Sequence, residues 1–362
     1  MTAVLIVDDD LEMRAALRRI LKRGGGFEVA GEAGSLRQAL RLVQDVSPDV
    51  VLVRCGRRDL NAVEVTAEIM TVKASPVVVV TDPRDAQAAE CAFRAMSAGA
   101  VAATSCPGED AAAAELAAFL QTVRTMAEVR VVHRRPTRGA PGRRPTATPP
   151  RGDPAGARRR LDLIVVGAST GGPQALQGFL SALPRPLTLP VLIVQHITPD
   201  FQGGFAHWLG EATGLHTALA GDGDSLLPGH VLIAPHPYQM GVDADRRVVL
   251  RHDIPEHGVR PSVSYLFRSL LDLAPRHTAA VLLTGMGRDG ADELLHLHER
   301  GAFTIAQDAD SSVVHGMPGS AIRLGAADQV LPPDEAGQLL GWMLSARAPG
   351  DGLESPVTGG AA

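Results

Sequence analysis

Five strand-like runs punctuate the first 123 residues: Val4 to Val7, Glu28 to Gly31, Val50 to Val53, Val77 to Thr81 and Ala100 to Ala103. Each precedes a segment of helical composition: Leu11 to Lys22, Leu36 to Val43, Val63 to Val72, Ala86 to Ala98 and Ala111 to Val123. Strand and helix in alternation predict a parallel sheet covered by helices on both faces. The pattern returns later with Leu163 to Gly167, Val191 to Gln195, His230 to Ala234, Ala280 to Thr284 and Phe303 to Gln307, again with helices between most of them. Gln239 to Arg251 breaks the alternation, because Asp243 to Arg246 separate two short runs, and it predicts a hairpin inserted in the sheet. The fold class is α/β, with two doubly wound parallel-sheet domains that place ligands outside the carboxyl ends of their strands.

Composition sharpens the division. A chain of 362 residues exceeds what one core usually spans, and 45% hydrophobic with 21% charged residues excludes wholesale disorder and a disulfide-stapled miniprotein. His133 to Arg160 holds nine arginines and six prolines against the single acid Asp153, in a chain whose net charge is −5. That composition cannot bury a core, so 124–160 reads as a solvated linker between domains at 1–123 and 161–346, with 347–362 as a frayed tail. No nucleic-acid partner is expected. The longest apolar runs fall far short of the ~20 residues that cross a bilayer, and Met1 leads straight into a strand. The expectation is a soluble, cytoplasmic protein without membrane insertion. Cys55, Cys91 and Cys106 are an odd number with no C-x-x-C, which reads as reduced thiols, with neither metal nor redox chemistry signalled.

The candidate chemistry lies at strand ends. Leu163 to Val166 runs into Gly167-Ala168-Ser169-Thr170-Gly171-Gly172, after which Pro173 suits a first helical turn. Such a loop can cradle a phosphate, or present Ser169 as a nucleophile beside N–H groups that stabilise negative charge. The next strand separates the two: a dinucleotide fold wants an acid at its end, and here the strand ends in His196, the usual base for a serine. After Ala280 to Thr284, the turn Gly285-Met286-Gly287-Arg288-Asp289-Gly290 supplies a carboxylate. With the three strands parallel, Ser169, His196 and Asp289 meet at one sheet edge, where each alone would be a turn residue, a satisfied histidine or a helix cap. His252, Asp253 and His257, or His296 and His298, lack a convincing ligand set, so no metal and no cofactor is assigned.

Two resemblances follow. Asp8, Asp9 and Asp10 end the first strand, and residues 3 to 123 resemble a response-regulator receiver domain, flavodoxin-like in fold, in which such acids help hold magnesium beside a phosphate-accepting aspartate. Here Pro48-Asp49-Val50-Val51-Leu52-Val53 leads to Arg54 where the acceptor belongs; Thr81 fits the family pattern, but Cys106 replaces its lysine before Pro107. A guanidinium forms no acyl phosphate and repels magnesium, so phosphotransfer from a histidine kinase is not expected; Arg54 among Asp8 and Asp9 would act as a permanent charge partner.

Residues 161 to 346 resemble the catalytic domain of chemotaxis protein-glutamate methylesterases. The resemblance rests on Gly167 to Gly172, Val194-Gln195-His196, Ile233-Ala234-Pro235, Arg260-Pro261-Ser262-Val263, Leu283 to Gly290, Ala306-Gln307-Asp308 and His315-Gly316-Met317-Pro318. It implies a Rossmann-like domain with Ser169 as nucleophile, His196 as base, Asp289 as its orienter, and Thr170 and Met286 beside the oxyanion. It further implies methylated chemoreceptors or related sensory proteins as partners, release of methanol from their glutamate methyl esters, and deamidation of receptor glutamines. In phosphorylation-controlled relatives the receiver covers the active site until modified. The alternative is a non-catalytic two-domain signalling scaffold or binding protein.

Overall fold

The computed structural model describes residues 1–55, 60–82, 88–108, 111–129, 160–273 and 275–345. Of the linker expected at 124–160, residues 124–127 instead continue the helix that ends at Ala127, while 130–159 and the tail from 346 lie outside these residues. The first sheet comprises β1 (Thr2–Val7), β2 (Phe27–Ala33), β3 (Val50–Cys55), β4 (Val77–Thr81) and β5 (Ala102–Ser105), all parallel in the order β2-β1-β3-β4-β5. Helices α1 (Leu11–Gly24), α2 (Leu36–Val46), α3 (Ala62–Val72), α4 (Ala88–Ser97) and α5 (Ala113–Ala127) cover its faces. β5 begins two residues later than expected, because Ala100 N–H still closes the end of α4 on the Ala95 carbonyl.

The second sheet is larger than the sequence predicts. It holds β6 (Leu163–Ala168), β7 (Val191–Gln195), β8 (His216–Leu219) and β9 (His230–Ile233), then, beyond the hairpin β10 (Gln239–Val242) and β11 (Val248–Arg251), β12 (Thr278–Leu282), β13 (Phe303–Gln307) and β14 (Gln329–Leu331). Its order is β14-β13-β12-β6-β7-β9-β8, parallel throughout. The hairpin forms where expected but is not inserted in the sheet: β10 and β11 pair antiparallel as a separate two-stranded ribbon, whose backbone partners are used by each other. The unpredicted edge strands β8 and β14 are short and partly exposed, with no apolar run to announce them. Helices α6 (Gly172–Ala182), α7 (Pro199–Thr213), α8 (Val263–Ser269), α9 (Ala291–Glu299), α10 (Met317–Arg323) and α11 (Pro333–Ser345) complete this body. Among the described residues, no helix is long and apolar enough to cross a membrane.

The two bodies share one apolar core through α4. Phe93 is fully buried, stacks on Trp208 at 5.4 Å between ring centroids and meets Phe205 and Phe201 at 5.5 and 6.2 Å. Burying one such ring contributes roughly 1.5–3 kcal/mol. The Trp208 indole N–H donates to Ser97 Oγ at 3.1 Å, and Gln174 Nε2 donates to the carbonyls of Met96, at 2.9 Å, and Ala100.

The cysteine expectation is overturned. Cys55, at the end of β3, forms a disulfide with Cys91 of α4, and Cys106 alone is free. The parallel crossover brings positions 36 residues apart to a Cα separation of 6.1 Å, within disulfide range, a proximity that spacing motifs do not encode.

Candidate active site

Strand register sets the geometry. Ala168 of β6 pairs with Gln195 of β7, and Leu282 of β12 pairs with Gly167, so the carboxyl ends of these three neighbouring strands lie together. Ser169 and His196 each follow a paired residue and leave strands about 4.8 Å apart side by side. The backbone locks them further: Ser169 N–H donates to the Thr284 carbonyl and His196 N–H to the Ala168 carbonyl, both at 3.0 Å.

Asp289 is the most extensively bonded side chain of the site. It is 3% exposed, and Oδ2 accepts from His196 Nε2 at 2.9 Å and from Val263 N–H at 2.7 Å, while Oδ1 accepts from Ser262 Oγ at 2.8 Å and Ser264 N–H at 3.0 Å. Burial pushes its pKa up, but the hydrogen bond and charge of His196, with the Ser264 and Val263 N–H groups, outweigh burial and hold it at about 2. The carboxylate therefore stays charged and fixes the proton of His196 on Nε2, leaving Nδ1 as the basic nitrogen. His196 and Asp289 are in contact, whereas Ser169 and His196 are not hydrogen-bonded to each other. Hydrogen bonds between nucleophile and base often tighten only when substrate binds.

Glycines allow this convergence. A Cβ at Gly285 would stand 2.7 Å from Ser169 Cβ, so only glycine lets the Met286 turn lie against the serine. Gly167 and Gly290 both leave room for Val263, whose N–H reaches Asp289. Thr170 and Met286 flank the serine, and their backbone N–H groups have no acceptor among the described residues. Two unpaired N–H groups beside a serine suit an incoming oxyanion.

Sequence reasoning missed the supports. Gln195 is buried and its Nε2 donates to the carbonyls of Ser169, at 2.8 Å, and His196, at 2.9 Å, clamping both segments. Ser262 is fully buried on Asp289, and Gln239 Oε1 accepts from its N–H at 2.8 Å. A glutamine inside the apolar run that ends β7 was the available signal, since a buried amide demands partners.

At the carboxyl ends of the first sheet's strands, Arg54 is mostly buried, with Nη1 3.6 Å from Asp8 Oδ2 and Nη2 3.7 Å from Asp82 Oδ2. The expected partner Asp9 is engaged elsewhere, accepting from Leu60 N–H, and Asp10 caps α1 through Glu12 and Met13 N–H. Burial raises the pKa of Asp8, partly offset by the Asp10 N–H and the Arg54 charge. Cys106 stands nearby, its thiol pushed up to about 11 by burial. Among the described residues, no three His, Cys, Asp or Glu side chains are grouped as a metal site.

Comparisons with known proteins find matches for both parts of the chain. Residues 164–340 match the CheB methylesterase family and residues 4–111 the response regulator receiver domain. A protein of Geobacter metallireducens named protein-glutamate methylesterase/protein-glutamine glutaminase 4 is 44% identical over 92% of this chain and 96% of its own length. One of Nitrosospira multiformis, named protein-glutamate methylesterase/protein-glutamine glutaminase, is 43% identical over 92% and 94%. The crystal structure of the Thermotoga maritima CheB methylesterase catalytic domain is 35% identical, covers 50% of this chain and 97% of that one, and superposes with a TM-score of 0.48.

Proposed function

Because the chain belongs to the CheB methylesterase family, with a receiver domain ahead of the catalytic one, we propose that it hydrolyses glutamate methyl esters on chemoreceptors with Ser169 as the nucleophile. The observation that carries the reading is Asp289, buried under four donors and bonded to His196, at the strand edge where Ser169 emerges. His196 Nδ1 takes the Ser169 proton as Oγ attacks the ester carbonyl. The oxyanion rests against the Thr170 and Met286 N–H groups, which are better matched to it than to the flat ester. The protonated His196, paired with charged Asp289, returns its proton to the departing methoxide, and methanol leaves. Water, activated by His196, then cleaves the glutamyl ester of Ser169 and frees the carboxylate. A receptor glutamine follows the same path with ammonia as leaving group, in keeping with the glutaminase in the relatives' names.

The receiver domain, in this reading, is blind to phosphoryl donors. Arg54 stands where an acceptor carboxylate is required, and its charge between Asp8 and Asp82 takes the place of a cation.

The test is methanol release from a methylated chemoreceptor fragment by the full chain, with ammonia followed on a fragment carrying glutamines, each with and without acetyl phosphate. Methanol release is expected at a rate that acetyl phosphate leaves unchanged, with no mass gain on the receiver domain. Absence of both products would return the chain to a non-catalytic scaffold, and a phosphoryl adduct would overturn the reading of Arg54.

A further inference from the structure

The cross-link of the first body sits directly beside the residue that removes its phosphoryl chemistry. Cys55 follows Arg54 at the end of β3 and is almost fully buried, while its partner Cys91, in the first turn of α4, is partly exposed. Arg54 and Cys55 point to opposite faces of the sheet: Cys55 joins the core under α3 and α4, whereas Arg54 turns to Asp8 and Asp82. The bridge and the ion pair therefore operate independently.

The helix carrying Cys91 is also the helix that grips the second body. Two residues beyond Cys91, Phe93 stacks on Trp208; Ser97 accepts from the Trp208 indole; Met96 and Ala100 accept from Gln174. On α7, a Cβ at Gly204 would stand 2.7 Å from Ala89 Cβ, so α4 and α7 are in close contact at both ends of α4. Trp208 and Gln174 belong to α7 and α6, which start just after His196 and from the Ser169 turn respectively. Between the bodies runs a cleft of about 660 Å³, with Gly171, Gln174 and Val313 on the catalytic side and Met96, Gly99 and Val101 on the other. One continuous set of bonds and packed rings thus leads from the Cys55–Cys91 bridge to the two helices that begin at the active site.

We propose that Cys55–Cys91 is a thiol–disulfide exchange site for a dithiol reductant, and that its opening loosens α4 from α7 and raises the rate of ester hydrolysis. The rate claim rests on the reading of Ser169 as nucleophile. A thiolate of the reductant attacks Sγ of Cys91, the more exposed residue of the pair; the Cys55–Cys91 bond breaks, and Cys55 leaves as a thiolate that takes up a proton. The second thiol of the reductant attacks the mixed disulfide, freeing Cys91 as a thiol and closing the reductant's own disulfide. Two electrons and two protons pass to the protein, and an oxidised dithiol reverses the step. Cys106, partly buried and with a thiol held well above the usual range, does not compete as a nucleophile. Besides the polypeptide chain itself, the bridge is the only covalent cross-link between α4 and its own sheet among the described residues, so its loss releases a constraint that helps present Phe93 and Ser97 to α7.

Trp208 reports on the proposal without reference to catalysis. The chain has two tryptophans, so a Trp342→Phe background leaves Trp208 as the reporter. Full-length protein purified without reductant and then unfolded during alkylation should be labelled at Cys106 only and, after dithiothreitol, at Cys55 and Cys91 as well. Reduction should shift Trp208 emission to the red with unchanged far-ultraviolet circular dichroism, and raise methanol release about fivefold or more. Cys91→Ser should show the shifted emission and the higher rate without reductant, and Cys106→Ser should respond like the parent. Three free thiols in the untreated protein would overturn the proposal, as would reduction that leaves emission and rate unchanged. A Trp208 shift with no methanol in either redox state would uphold the hold of the bridge on α4 and count against the Ser169 reading instead.

Discussion

Replacing Ser169 with alanine should lower methanol release by about 10⁶-fold, to the residue left by oxyanion stabilisation and binding alone. In the proposed mechanism Oγ forms and loses the covalent bond, a part for which neither His196 nor the N–H groups can substitute, and the size of the loss follows from that. The fold should be unaffected. Ser169 is held through its backbone, donating to Thr284 and accepting from Gly172 N–H at 2.8 Å and from Gln195 Nε2, and none of these bonds uses Oγ. Thermal melting should therefore place the variant within about 0.5 kcal/mol of the parent. A loss of activity accompanied by unfolding, or activity retained, would each contradict the assignment.

Asp289→Asn should cost about 10⁴-fold in kcat, the scale seen when the orienting carboxylate of a serine–histidine pair becomes an amide. The reason here is arithmetic of donors. Asp289 accepts four hydrogen bonds and offers none, while asparagine brings an NH₂ group that must face a donor wherever it turns. Facing His196, it forces the other tautomer, placing the proton on Nδ1 where the base is needed; facing Ser264, it leaves a buried N–H unpaired. This variant should also lose about 1–3 kcal/mol of stability, separating it from Ser169→Ala in a melting experiment. Kinetics on the methylated fragment should put the loss in kcat with little change in KM. An Asp289→Asn enzyme of near-normal kcat would reduce the residue to a helix-end anchor.

The parts legible in the sequence were those that chain-local chemistry announces. Glycine-rich turns after apolar strands marked the Ser169 and Asp289 loops, and the alternation of elements placed their strands parallel, which was enough to bring His196 to the same edge. What stayed hidden depends on partners distant in the chain. Ser262 and Gln195 are ordinary polar residues until the fold buries them against Asp289 and the Ser169 turn. Arg54 was visible as an anomaly, yet its partner is Asp82 together with Asp8, and not Asp9, because Asp9 is taken by Leu60 N–H. The Cys55–Cys91 bridge and the Phe93–Trp208 stack both require knowing which face of α4 meets β3 and which meets α7, information that periodicity alone does not carry.

The central claim, that Ser169 is the covalent nucleophile of an esterase site, is tested most directly by a fluorophosphonate whose phosphorus is attacked as an ester carbonyl would be. One label per chain is expected, located on Ser169 by peptide mass spectrometry, with methanol release from the receptor fragment falling in proportion to labelling. Labelling of a different residue, or full methanol release from a chain labelled at Ser169, would contradict it.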